Sequence, residues 1–264
     1  MKSLSEQLED GRRAHLVANS IEQETRERVR DAFQSWANGS LDDNSIRYRL
    51  EDIVRSSYRS SSEIAREHIA LQSGIPDWLP PAAPKSPEYL KSLIQDVRRN
   101  LRVYKKSQRT DKDLRRAVFR IGLSAGVAAQ RGFTDASIHS ADYLKKSGYT
   151  IRKVWIANFV DNSPCSECRR LHGTSVDLDE NFPVPTKTLA VYKNLQGPPR
   201  HPNCRCYIVT SISLTEEKQP VNVDRPTESP PSMTTEDVKR MPESKFKAFL
   251  FSLRAIIRKF FRRG

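Results

Sequence analysis

The chain has 264 residues, 37% apolar and 29% charged, and its 45 lysines and arginines outnumber 32 acidic residues to give a formal charge of +13. This composition describes a soluble chain of small domains and linkers rather than one large globule, and the basic surplus favours an anionic partner such as nucleic acid or an acidic protein surface. No apolar run of about eighteen residues occurs, because Arg254, Arg258 and Lys259 cut the richest stretch, and Met1–Asp10 lacks the basic-then-apolar pattern of a secretory leader; neither a membrane span nor secretion is expected.

Residues 1–75 are expected to be helical. Val29, Ala32, Phe33 and Trp36 recur at helical spacing before a stop at Asn38-Gly39. Ile46, Leu50, Ile53 and Val54 mark a second helix; the serine run Ser60–Ser62 is a place for it to break before Ile64, Ala65, His68 and Ile69 resume the pattern. The prolines from Pro76 to Pro84 make 76–88 a connector, since proline has no amide donor and restrains the residue before it.

Residues 89–213 form the next segment. Ser86-Pro87 reads as an N-cap with proline at the first helical position, followed by the stripe Leu90, Leu93, Ile94, Val97, Leu101 and Tyr104. Thr110 and Asp113 resemble a weaker capping box opening a helix with Leu114, Ala117, Val118, Ile121, Ala125 and Ala128 inside. Gly122, Ser124 and Gly126 would let a neighbouring helix approach closely. A separate, shorter helix is expected from about Asp135 to Lys146, closed by Gly148. The β-branched and aromatic runs Ile151–Val160 and Cys206–Ile212 then read as strands, with Thr174–Leu178 a third. Antiparallel pairing of the outer two would bring all four cysteines to one end of a sheet.

Residues 214–242 are polar, proline-bearing and aperiodic, which predicts a flexible linker. Residues 243–264 form a basic amphipathic helix with Phe246, Phe249, Leu250, Leu253, Ile256, Ile257 and Phe260 on one face. That face would dock on the chain's own helices, in a partner's groove or on a membrane surface. The fold class is therefore α+β: a mainly helical N-terminal part, a small antiparallel sheet with a Cys/His metal knot, and a C-terminal amphipathic helix.

All four cysteines lie in Cys165-Ser-Glu-Cys168 and His201-Pro-Asn-Cys204-Arg-Cys206, a pattern suited to a metal in a reducing compartment. Two thiolates two residues apart can share one zinc ion, and a second pair completes a tetrahedron. The expected ligands are Cys165, Cys168, Cys204 and Cys206, with His201 replacing any cysteine that points away. The 35 residues between Cys168 and Cys204 exceed the usual ribbon spacing, so two disulfides or four buried thiols remain the alternatives. A redox role fits less well, because no thioredoxin-like pattern surrounds Cys165. His172 is a further candidate ligand, although such a residue more often caps or packs. A catalytic metal needs an open position and a general base, and five candidate ligands leave none obvious. Asp161, Glu167, Asp177 and Asp179 read as solvated loop carboxylates, so no enzymatic activity is expected.

The run Trp155, Asp161, Cys165-x-x-Cys168, Leu171-His172-Gly173 and Pro198-Pro199-Arg200-His201-Pro202-Asn203-Cys204-Arg205-Cys206 resembles the phage Mu F-like minor head proteins, whose shared domain ends in a similar Pro-Pro-x-His-Pro-x-Cys-Arg-Cys signature. Arg109-Thr110-Asp111 is similar to the Arg-Thr-Glu opening a helix in many relatives, with aspartate in place of glutamate. The likeness covers about residues 90–210. It implies a minor capsid protein of a tailed bacteriophage, in few copies inside the head near the portal, with a structural role in head morphogenesis or in handling packaged DNA. The implied partners are the portal protein or the major capsid protein. Double-stranded DNA is a further one, through non-specific basic contacts from the stretch Arg98, Arg99, Arg102, Lys105, Lys106, Arg109, Arg115 and Arg116. A zinc-knuckle nucleic-acid-binding protein is the alternative.

Overall fold

Two N-terminal helices begin at well-formed caps. α1 (Leu4–Ala37) opens on a capping box in which Ser3 Oγ accepts from the Glu6 amide at 3.3 Å and the Glu6 carboxylate accepts from the Ser3 amide at 2.8 Å. α2 (Asp43–Ser73) is capped by Asp42, whose carboxylate accepts from Asn44 and Ser45, and ends at Gly74 in the left-handed conformation. The computed structural model describes residues 3–75, 77–82, 88–158, 164–183, 196–201 and 204–214. The Ser86-Pro87 cap, the linker 214–242 beyond Leu214, and the helix 243–264 fall outside these residues.

α2 does not break at Ser60–Ser62. Ser62 is buried and its hydroxyl donates to the Tyr58 carbonyl of its own helix at 2.8 Å and contacts the Gly132 carbonyl at 3.1 Å; Ser57 does the same with Val54 and Ala125. Serines inside a helix are tolerated when the single hydroxyl proton has an acceptor in the preceding turn or on a facing backbone. α3 (Glu88–Lys106) buries the predicted stripe from Leu90 to Tyr104. Each such side chain stabilises the fold by roughly 1.5–3 kcal/mol.

α4 (Asp111–Lys146) has a complete capping box between Thr110 and Asp113 and runs unbroken through the position where a separate shorter helix was expected. Its small residues explain why. Gly122 and Gly126 lie against Arg26 and Glu22 of α1, and Gly132 lies against the Tyr58 backbone of α2, so α4 passes close to both as one rod. The main core joins Val29 and Phe33 of α1, Ile46, Leu50 and Val54 of α2, the α3 stripe, and Ile121 and Ala125 of α4. Glu51, buried on α2, ties α3 into this packing through Arg98 at 2.7 and 3.0 Å, and that guanidinium holds its carboxyl below the usual carboxylate range.

Gly148 in the left-handed region turns the chain into β1 (Tyr149–Ile156). After a one-turn helix, α5 (Ser166–Leu171), come β2 (Ser175–Asp177) and β3 (Tyr207–Leu214), and the three strands form an antiparallel sheet in the order β2-β1-β3. Val154 pairs with Ser175 and Val209, and Trp155 with Ile208. Ile151 and Ile212 meet Ile69 of α2 and Ala141 and Leu144 of α4 in a second cluster. Residues 1–75 and 89–213 therefore share a core, and the described residues belong to one compact unit. At the edge of the sheet, the Gln7 side chain of α1 accepts from the Ile212 amide at 2.9 Å and donates to its carbonyl at 3.1 Å.

Candidate metal centre

The end of β1, the α5 turn and the approach to β3 meet at one end of the sheet. Trp155 bonds through its amide to Thr174 and through its carbonyl to the Gly173 amide, which fixes the chain leaving α5 against β1. Cys165 sits at the N-cap of α5 and its sulfur accepts from the Cys168 amide at 3.4 Å. His201 accepts from the Cys204 amide through its carbonyl at 3.0 Å, a turn that folds its ring back toward the cysteines.

All five residues expected as ligands gather there. His201 Nε2 lies 3.3 Å from Cys165 Sγ and 3.3 Å from Cys168 Sγ. Cys168 Sγ lies 3.9 Å from Cys204 Sγ. The donor atoms of Cys165, Cys168 and His201, and those of Cys168, Cys204 and Cys206, each lie within 4.8 Å of one another, so Cys168 belongs to both groups and either could hold a metal ion. A tetrahedral ion with Zn–S of about 2.3 Å and Zn–N of about 2.0–2.1 Å has ligand–ligand edges of roughly 3.5–3.8 Å. The observed separations fall about those edges, and the four cysteines are free thiols, not disulfides.

The electrostatics divide the sulfurs between thiol and thiolate. Hydrogen bonds from the Cys168 and Cys206 thiols, against the burial, pull Cys204 well below the ordinary thiol value, while the same contacts push Cys168 up. Burial opposes ionisation of Cys165, but the Cys168 amide and thiol bring it below the ordinary value. Three buried sulfurs this close cannot all be thiolates without a positive charge among them. Burial also keeps His15 of α1 neutral, with its pKa near 4, and its ring stacks on Tyr207 at 4.1 Å beside the cluster.

The other sequence candidates have partners outside the cluster. His172 Nδ1 accepts from the Ala157 amide at 3.1 Å and ties α5 to the end of β1. Glu167 pairs with the buried Arg200, Asp179 with Lys145, and Asp177 with Arg152 at 3.5 Å. Asp161 lies outside the described residues. In the basic stretch, Arg98, Arg99 and Lys105 are paired with Glu51, Asp96 and Asp43, whereas Arg102, Lys106, Arg115 and Arg116 are exposed.

Two buried cations were not singled out in the sequence, Arg200 and Lys153. Lys153 alternates with Ile151 and Trp155 in β1, which alone marks it as sharing their face. Its ammonium has no hydrogen-bond partner among the described residues and sits 5.6 Å from the centre of the Phe182 ring, which in turn packs edge-on against Trp155. Burial lowers its pKa to about 8, with Asp179 and Glu180 opposing. The unfolded chain therefore holds this proton more tightly than the native one. Stability from this group is full above about 10.5 and is lost as the pH falls through about 8. Lys153→Met is expected to raise stability at neutral pH by about 1–3 kcal/mol, the usual cost of an unsatisfied buried polar group. Denaturant melts at pH 7 and at pH 10 should show that advantage shrinking at the higher value; an advantage equal at both would refute the account.

No helix among the described residues is long and apolar enough to cross a membrane. No curated protein and no solved structure matches the chain. Residues 96–209 match the family model described as Phage Mu protein F like protein, a span that takes in most of α3, all of α4, β1 and β2, the first three residues of β3 and all five gathered Cys and His residues. Over that span, the chain is similar to the phage Mu F-like proteins.

Proposed function

We propose that the chain is a minor capsid, head-morphogenesis protein of a tailed bacteriophage, structural rather than enzymatic, with one zinc ion closing the end of its small sheet. The observation that carries this reading is the convergence of His201 on Cys165 and Cys168 inside the segment that matches the phage family. Cys165, Cys168 and His201 form one close group, and Cys204, whose sulfur lies 3.9 Å from that of Cys168, is the fourth ligand assigned here, which moves His201 from a substitute to a first choice. Cys206 stays beside them, its sulfur within 4.8 Å of those of Cys168 and Cys204. A closed shell of three thiolates and an imidazole leaves no position for a substrate. The acidic side chains near it are each engaged by a cation. Such an ion supplies folding energy that a three-stranded sheet alone lacks.

The family points to a place in the virion; the finer reading is few copies inside the head, near the portal, touching portal or major capsid protein. Two measurements test it. Metal analysis of the purified protein should give about one zinc per chain, with the thiols reacting only after chelation. Quantified in purified heads, the chain should be present at a small fraction of the major capsid protein and protected from protease until the heads are opened. Absence from heads overturns the morphogenesis reading, and absence of metal overturns the zinc.

Contact with packaged DNA is a second reading, favoured by the exposed Arg102, Lys106, Arg115 and Arg116 on α3 and α4. It requires DNA retention that falls steeply with salt.

A further inference from the structure

Between the C-terminal half of α1 and the N-terminal half of α4 lies an open cleft of about 610 Å³, far from the cysteines in sequence and unused by the reading above. Leu114, Val118 and Phe119 of α4 give it an apolar wall, and Phe119 is 57% exposed. Arg26, Arg30 and Arg115 line it, with no acidic side chain among the lining residues. Arg26 is held by Glu22 at 2.6 Å. Arg30 and Arg115 are exposed and make no ion pair among the described residues.

We propose that this cleft binds an acidic amphipathic helix of a partner protein, with apolar residues seated on Phe119, Val118 and Leu114 and carboxylates reaching Arg30 and Arg115. Length agrees with this occupant: the α1 residues lining the cleft run from Arg26 to Ala37, roughly 16 Å at 1.5 Å per residue, the reach of three helical turns. A helix in a groove anchors through positions i, i+3, i+4 and i+7, which cover that distance. Charge excludes the chain's own C-terminal segment. Residues 243–264 carry seven lysines and arginines against one carboxylate, so two cationic surfaces would meet. A nucleic-acid backbone would satisfy the arginines but leave Phe119 and Val118 in water, whereas an amphipathic helix covers both kinds of group.

The test uses the full-length protein and three fluorescent probes followed by anisotropy. These are a helical peptide of leucine, alanine and glutamate with leucines at i, i+3, i+4 and i+7, the same peptide with lysine replacing glutamate, and a short DNA duplex. The acidic peptide should bind and the basic one should not. Phe119→Ser and the double variant Arg30→Glu/Arg115→Glu should each weaken acidic-peptide binding by roughly tenfold or more, the scale of a central contact residue. The double variant should also gain affinity for the basic peptide. All three positions are exposed, and unchanged circular dichroism will show that the variants fold. Failure of the acidic peptide to bind overturns the proposal, as does binding indifferent to the substitutions. Duplex binding that the charge reversal abolishes and Phe119→Ser leaves intact assigns the cleft to nucleic acid and overturns it too.

Discussion

Replacing Cys168 with serine is expected to abolish binding of the proposed zinc and melt the sheet while most of the helix signal remains. Its sulfur lies 3.3 Å from His201 Nε2 and 3.9 Å from Cys204 Sγ and is common to both groups of donors, so no remaining set of ligands surrounds an ion. Structural zinc in small domains contributes on the order of 10 kcal/mol to folding, comparable with the whole net stability of a domain. Loss of that ion should free β1 and β3 from the α5 turn, seen as loss of the near-ultraviolet signal of buried Trp155 with little change in the far ultraviolet. Cys206→Ser is the contrasting case: it should keep one zinc per chain, with affinity lowered by roughly 10–100-fold as for other residues that support ligands. A Cys168→Ser protein that binds one zinc and melts like the wild type would end the structural-metal reading. If Cys206→Ser loses the metal as completely, the ligand set must be redrawn around four cysteines.

Gly132→Ala should be the more damaging of two glycine substitutions in the same helix. A Cβ at Gly132 would overlap the carbonyl oxygen of Tyr58 and stand 3.0 Å from its Cα, and both are backbone atoms that cannot step aside without moving α2. Alanine gains about 1 kcal/mol in helix propensity over glycine, but overpacking against rigid backbone costs about 1–3 kcal/mol and occasionally more. The net expectation is a loss of about 1–2 kcal/mol, or a fall in Tm of about 2–8 °C. At Gly122 the nearest atom to an added Cβ is Arg26 Cγ at 3.5 Å, ordinary contact with a flexible side chain, so Gly122→Ala should leave Tm unchanged or raise it. Equal losses at the two sites would show that close approach of α2 and α4 is not what Gly132 serves.

Local periodicity was sufficient for α3, whose stripe from Leu90 to Tyr104 is buried as its spacing predicts. It was also sufficient for the strands, because β-branched runs with a turn glycine carry their own signal, although β1 begins at Tyr149, before the predicted Ile151. The two expected breaks, at Ser60–Ser62 and before Asp135, do not occur, and for one reason. Serine and glycine are weak helix formers in isolation, and what keeps them helical here is another helix pressed against them. The cysteine cluster was legible because its spacing is chemical rather than conformational. Spacing names donors but does not bring the His201 ring beside Cys165 and Cys168, as the fold does. Lys153 shares the buried face of Ile151 and Trp155 by alternation, but its charge argues against burial until Phe182 is placed beside it.

The amide of Gln7 has a consequence beyond holding α1 to the sheet. By occupying both the N–H and the C=O of Ile212, it behaves as a one-residue mock strand on the outer side of β3, where a second polypeptide could otherwise add by backbone pairing. Thr210, also buried there, donates through its hydroxyl to Gln72 at 3.0 Å, and Gln72 in turn donates to the Gln7 carbonyl. Copies of this chain crowded together would have to lift α1 before they could polymerise along that edge. Two glutamines thus serve as a guard against runaway self-association, leaving orderly encounters to side chains on the helices.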